Sequence, residues 1–411
     1  MTSQNPHAGA PPPPATSPAN PRVALRVIAQ QWARIGITGF GGPPAHISLL
    51  RQLCVEQRGW IAAGEFEDAI AACNMLPGPA STQLAIWCGW RLRARAGALL
   101  AGVCFISPGL IAILALAALF LEAHPPTWVL GAAAGGGAAV PAVALHAAWG
   151  LAPASWARIQ DAKQPGSGAR RPARLRWIGY ALLGGTAAAT IGPYLVLVLL
   201  GCGLLEILVR TRPHRAAHGH GILPLALPAS TVVAGGLGAL VWTAFKVGAL
   251  SYGGGFVIIP LMQHDAVTRY HWMTASQFLD AVALGQVTPG PVVQTVAVVG
   301  YAAAGVGGGL LASVVAFSPS FAFILLGGDR FDALRRNHLV QAFLTGAGPS
   351  VIGAIAGSAI PLALALSHGW QYVLLAAAAL WLLPARRGVV SALLLAGACG
   401  IVVALTRAPV S

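Results

Sequence analysis

The chain has 411 residues, of which 56% are hydrophobic and only 9% charged, with a formal charge of +14. Soluble domains carry roughly a quarter charged residues, so this composition excludes an ordinary water-soluble globule and points to the lipid bilayer. The basic residues, all Arg except Lys163 and Lys246, lie in short segments between apolar runs. That excludes a nucleic-acid-binding face and fits cytoplasmic loops of a membrane protein.

Residues 1–21 are rich in Pro, Ala and polar residues and read as a disordered tail, without the apolar core of a cleaved signal peptide. Arg22–Ile37 has the pattern of a basic amphipathic helix that lies in the interface or leads into the bilayer. Ala98–Ala123, Trp128–Leu151, Ile222–Phe245, Gly308–Gly328, Leu339–Leu366 and Gly388–Leu405 are apolar runs near the ~20 residues a spanning helix needs. They lack the alternation of barrel strands. Between them lie two hydrophilic loops, Arg158–Arg176 and Arg210–His220. His214, His218 and His220 in the second have no nearby carboxylate or Cys, so the loop reads as a solvated linker with no metal site. Six scattered cysteines (Cys54, Cys73, Cys88, Cys104, Cys202, Cys399) form no Cys-x-x-Cys pair and read as small apolar filler.

The chain repeats itself. Residues 36–79 align with residues 248–291 at an offset of 212, with 15 of 44 positions identical. The identities include Trp60/Trp272, Asp68/Asp280 and the triplet Pro77-Gly78-Pro79/Pro289-Gly290-Pro291. After a one-residue gap the offset becomes 211, matching Gly89 to Gly300 and Pro108 to Pro319. The domain plan is a tail (1–21), a first repeat (22–209), a basic linker (210–221) and a second repeat (222–411). Arg91–Arg95 in the first repeat is matched by uncharged residues in the second. Arg330, Arg335 and Arg336 in the second are matched by none in the first. Positive loops stay in the cytoplasm, so the repeats are expected to be inverted in the membrane. The fold class is an all-α polytopic membrane protein of two inverted-topology repeats, with helices broken at Pro-Gly-Pro.

Each Pro-Gly-Pro separates two apolar runs of about eleven residues, too short to span alone. Proline interrupts the helix before it and suits the first turn of the helix after it. Each second half-helix then starts at the break with free N–H groups and the positive end of its dipole. Two such starts facing one cavity would make an anion site without a fixed charge. The candidate substrate contacts are therefore the breaks themselves, Pro77, Gly78, Pro79 and Pro289, Gly290, Pro291. With them go the polar residues beside them: Asn74, Ser81, Thr82, Gln83, Gln286, Thr288, Gln294 and Thr295.

Glycine pairs at Gly41-Gly42 and Gly253-Gly254 form a second repeated element that permits close backbone approach. Arg34 and Lys246 align just before them; each has two readings, anion contact or snorkelling. His46 reads as a substrate contact, a proton carrier or a packing histidine. Asp68 and Asp280 stand nine residues before their breaks as proton-coupling candidates or helix-start charges. Glu122 and Glu206, near span ends, read as interfacial. No phosphate loop, Gly-x-Ser-x-Gly or His-Glu-x-x-His motif is present, so neither catalysis nor a cofactor is expected.

The runs Phe40-Gly41-Gly42-Pro43-Pro44-Ala45-His46, Trp60 and Pro77–Ala85, with Gly248–Gly255, Trp272 and Gly285–Val293, resemble the chromate ion transporter family. The resemblance extends from about Gly36 to Pro361, and Tyr252 stands where that family has Phe. It implies a bacterial inner-membrane carrier, N-terminus and basic loops cytoplasmic, that expels chromate and confers resistance. Sulfate is nearly isosteric and equally dianionic, so a sulfate-like substrate remains the alternative; a membrane enzyme or sensor is the second. One chain holds both repeats, so a homodimer is compatible but not required.

Overall fold

The computed structural model describes residues 23–74, 76, 78–121, 125–161, 170–190, 195–211, 236–251, 258–327 and 337–406. The N-terminal tail, the basic linker with its three histidines, and Glu122 lie outside the described residues. Among the described residues every regular element is helical.

The first repeat comprises α1 (Leu25–Thr38), α2 (Pro43–Arg51) running into a π turn (Gln52–Gln57), and α3 (Ala63–Cys73). It continues through α4 (Ala80–Phe120), α5 (Thr127–Asp161), α6 (Arg170–Thr190) and α7 (Leu195–Thr211). The second comprises α8 (Leu237–Leu250), α9 (Ile258–Gln263) running into a π turn (His264–Arg269), and α10 (Ala275–Val287). It continues through α11 (Thr295–Gly327), entered by a 3-10 turn (Val292–Gln294), then α12 (His338–Leu364), α13 (Gly369–Leu382) and α14 (Val389–Leu405). α8 and the second π turn begin and end 212 residues after α1 and the first π turn. Among the described residues four helices are long and apolar enough to cross a membrane: Ala80–Phe120, Thr127–Ala157, Val292–Gly327 and His338–Leu364. The protein is a membrane protein. The structure adds α6, α7 and α13 to the apolar runs legible in the sequence.

α1 is not a surface helix. Ile28, Trp32, Ile35 and Gly36 are buried, and the Trp32 indole N–H donates to the Ala85 carbonyl at 2.9 Å. Its counterpart α8 packs on α11 in the same way, with Gly248 against the Ala316 carbonyl where Gly36 meets that of Phe105.

α4 and α11 are each two arms. α4 turns at Arg93–Ala94 (φ −150°, ψ 33°; φ 47°, ψ −140°). α11 turns at Ala304–Gly305 (φ −155°, ψ 34°; φ 61°, ψ −156°). Eight residues of straight helix rise about 12 Å. Yet a β-carbon on Gly89 would strike the carbonyl of Gly97, and one on Gly300 that of Gly308. In each repeat the chain therefore doubles back. At the far end of the first arm of α4, Arg91 is ion-paired with Glu65 in the first turn of α3. α3 and this arm thus share one end and form a helical hairpin with Gly78 and Pro79 at its tip.

The second arms of α4 and α11 pack at the centre of the molecule. Gly102 meets the Phe321 ring and Gly309 meets Leu114, the pattern of antiparallel helices. The repeats also interleave. α12 packs between α6 and α7 of the first repeat, and α5 against α13 and α14 of the second. Glycine sets these approaches: Gly353 lies on the Ala181 carbonyl, Gly357 on that of Gly185 and Gly131 on that of Gly400.

Candidate substrate site

Pro79 (φ −70°, ψ 102°) and Pro291 (φ −67°, ψ 132°) stand at the N-caps of the half-helices that follow the breaks. Gly78 and Gly290 adopt φ of +125° and +102°, a backbone conformation that favours glycine. Their amides are used across the repeats. Gly78 N–H donates to the Ser251 carbonyl at 2.7 Å, and Gly290 N–H to the Gly39 carbonyl at 3.1 Å. Gly39 and Ser251 are themselves repeat equivalents, so each break is pinned to the loop that follows the first helix of the other repeat.

His46 completes one of these junctions. It is fully buried, with Nε2 2.9 Å from the Gly39 carbonyl oxygen and Nδ1 3.3 Å from Ser81 Oγ. A carbonyl only accepts, so Nε2 carries the proton and Nδ1 accepts from the Ser81 hydroxyl. Phe105 packs edge-on at 5.0 Å. His46 thus ties α2 to the end of α1 and to the start of the half-helix.

Beside this junction lies a cavity of about 350 Å³. It is lined by Gly41 and Gly42, Asn74 at the end of α3, Ala80 at the start of α4, His146 on α5 and Gln286 on α10, with Val389 and Val390 of α14. Thr82 and Gln83 amides bond to the Pro79 carbonyl, so the helical hydrogen bonds begin after Ala80 and Ser81. Gln286 is 7% exposed, and among the described residues its amide nitrogen has no partner; His146 Nδ1 is buried and has none there either. Among the described residues no carboxylate lines the cavity. The arrangement offers hydrogen-bond donors and a helix start without opposing negative charge, which suits an anion.

Only one half-helix start lines this cavity. Val292, the start of the other, is buried, and a β-carbon on Gly42 would sit 3.7 Å from it. The second break is closed by packing: Gly109 approaches the Pro289 carbonyl, and the Gln294 amide donates to the Ile106 carbonyl at 2.6 Å. Of the polar flanks, Asn74 and Gln286 reach the cavity, while Ser81, Thr82 and Gln83 are buried behind it. Thr288 and Thr295 hydroxyls return to the carbonyls of Leu284 and Val292. Pro77, Gly253 and Gly254 lie outside the described residues.

The charged candidates stand elsewhere. Arg34 is exposed on α1. Lys246 is ion-paired with the buried carboxylate of Asp265, which also accepts from the Thr243 hydroxyl at 2.8 Å. Asp68 is exposed, while its counterpart Asp280 is buried beside a different cavity. Glu206, near the end of α7, is buried and accepts from Arg176 (3.0 Å), Arg210 (2.8 Å) and Tyr180 (3.1 Å). Apolar packing around α6 and α7 covers it, a consequence of tertiary contacts that span boundaries do not reveal. His146 and Asp265 are additions from the structure. The signal for His146 was present, since it is the sole ionisable residue in the run Trp128–Leu151.

These features define a class: a polytopic helical membrane protein of two repeats, with a largely apolar cavity that carries a few polar groups beside the break of the first. The chain belongs to the chromate transporter family, whose profile matches residues 27–225 and 238–403. It is 31% identical to a chromate transport protein of Cupriavidus metallidurans over 368 residues, covering 86% of this chain and 87% of that one. It is also 31% identical to a chromate transport protein of Pseudomonas aeruginosa, covering 85% and 83%. Identity to a probable chromate transport protein of Synechococcus elongatus is 27%, covering 84% and 86%. No solved structure matches the chain.

Proposed function

We propose that the chain carries chromate out of the cytoplasm across the inner membrane by secondary-active transport, conferring chromate resistance, and that it is not an enzyme. The observation that carries this reading is the cavity: the start of α4 at Ala80, the Gln286 amide and the His146 imidazole line one space that no carboxylate of the described residues enters. A dianion gains donors and a helix dipole there while meeting no opposing charge. The names of the relatives supply chromate as the substrate to test first.

The repeats are read as inverted, with the basic loops and N-terminus cytoplasmic. The antiparallel contact of the second arms of α4 and α11 supports inversion, since equivalent helices then run in opposite directions. In this orientation α5 runs inward, so the lining residues Gly150 and Leu151 lie on the cytoplasmic side of His146. Substrate release outward requires the second break, now closed over Gly109, to open in turn. The same donors accept sulfate, so sulfate is the natural competitor.

The test is accumulation of labelled chromate by cells with and without the protein. Lower accumulation on expression, raised again by added sulfate, is the expected result. Equal accumulation in both strains, with the protein present in the membrane, contradicts the reading.

A further inference from the structure

Asp280 lines a second cavity, of about 290 Å³, between α10, the start of α5, the end of α4 and α14. The residue is 5% exposed, and Gly137 of α5 comes so near that a β-carbon there would stand 2.6 Å from Oδ1. Every other lining residue is apolar. The ionisable groups on the elements packed against α10 lie off this cavity. α4 has Arg91, Arg93 and Arg95 at its opposite end, and α11 has Tyr301. The π turn has His264, Asp265 and Arg269, and α14 has Cys399. His146 of α5 lines the central cavity. The repeat equivalent, Asp68, is exposed, so burial of this carboxyl belongs to the second repeat alone.

A metal cation needs several oxygen donors, and among the described residues no other oxygen-bearing side chain lines the cavity. The ligand that a lone carboxyl can hold is a proton. Three helices border both cavities: α10 through Asp280 and Gln286, α5 through Gly136 and His146, and α14 through Leu393 and Val389. Asp280 and Gln286 are six residues apart, about 9 Å along one rigid helix. In the proposed orientation the end of α4 faces outward, so this cavity lies nearer the outside and the central one nearer the cytoplasm.

We propose that Asp280 is a proton-binding site, loaded from the outer side and coupled through α10 and α5 to the anion site. This rests on the transport reading above. The carboxylate takes up a proton when the anion leaves outward and gives it up inward, so one proton site serves exchange of proton for anion.

The experiment uses the purified chain in proteoliposomes, with chromate counterflow at equal pH and chromate flux under an imposed pH gradient. The wild type is expected to show both, with proton movement opposite to chromate, reported by a trapped pH dye. Asp280→Asn is expected to keep counterflow within about twofold of wild type and to lose stimulation by the gradient. Asp68→Asn is expected to keep both. Asp280→Ser serves the same purpose should the amide not assemble. Gradient stimulation retained by a neutral Asp280 variant overturns the proposal. So does net wild-type chromate flux without opposite proton movement, which needs no variant and leaves the transport reading standing. Absence of wild-type counterflow overturns both.

Discussion

The amide of Gly290, in the break of the second repeat, donates to the carbonyl of Gly39, in the first, at 3.1 Å. The reciprocal bond, from Gly78 to Ser251, joins the other pair of equivalent positions. Two prolines deny the break its helical hydrogen bonds, and each remaining amide finds its acceptor in the other repeat. Neither half can build its site alone.

Conformation favours glycine at both breaks, and at Gly78 space does too. A β-carbon on Gly78 would strike the Gln83 side chain, and φ of +125° is strained for any other residue. Gly59 also has positive φ, but nothing stands near it. Gly59→Ala is therefore expected to cost only the local strain, about 1–3 kcal/mol, and to leave chromate flux near wild type. Gly78→Ala is expected to lower both the unfolding temperature in detergent and the flux. Equal behaviour of the two variants in flux assays would count against the packing argument.

Ala94 holds the turn of α4 at φ 47°, ψ −140°, where the second repeat places Gly305 at φ 61°, ψ −156°. That region is essentially a glycine region and costs other residues of order 1–3 kcal/mol. Ala94→Gly should raise the unfolding temperature without changing flux. An unchanged or lower temperature would mean that the turn is unstrained.

Lys246 and Asp265 are a buried pair, 17% and 2% exposed at their side chains. Removing one partner leaves a buried charge, a loss of about 3–5 kcal/mol, whereas replacing both with apolar residues is often nearly neutral. Lys246→Met and Asp265→Leu should each reduce the folded yield, and the double variant should recover most of it. If the double variant yields no more than the worse single one, the ions serve a purpose beyond pairing.

Much of this architecture was legible in the sequence because it depends on local chemistry. Pro-Gly-Pro breaks a helix wherever it stands, and the repeat offset shared by Trp60 and Trp272 carried over to helix boundaries. The pairing of Lys246 with Asp265 was not legible, since Asp265 aligns with Leu53 and gave no repeated signal. Equivalence also misled where tertiary packing differs. Asp68 and Asp280 align, yet only Asp280 is covered by α5. His146 aligns at offset 211 with Gly357, which is closed against Gly185, so its cavity has no counterpart in the second repeat's pattern.

The central claim is that chromate passes through the cavity lined by Ala80, His146 and Gln286. The measurement that tests it most directly is the KM of chromate counterflow in proteoliposomes of wild type, Gln286→Ala and His146→Ala. Loss of one hydrogen bond to a charged ligand is worth about 1.5–3 kcal/mol, so KM should rise roughly tenfold or more in each variant, with assembly unchanged. Wild-type KM in both variants, with both proteins folded and flux intact, would contradict the account.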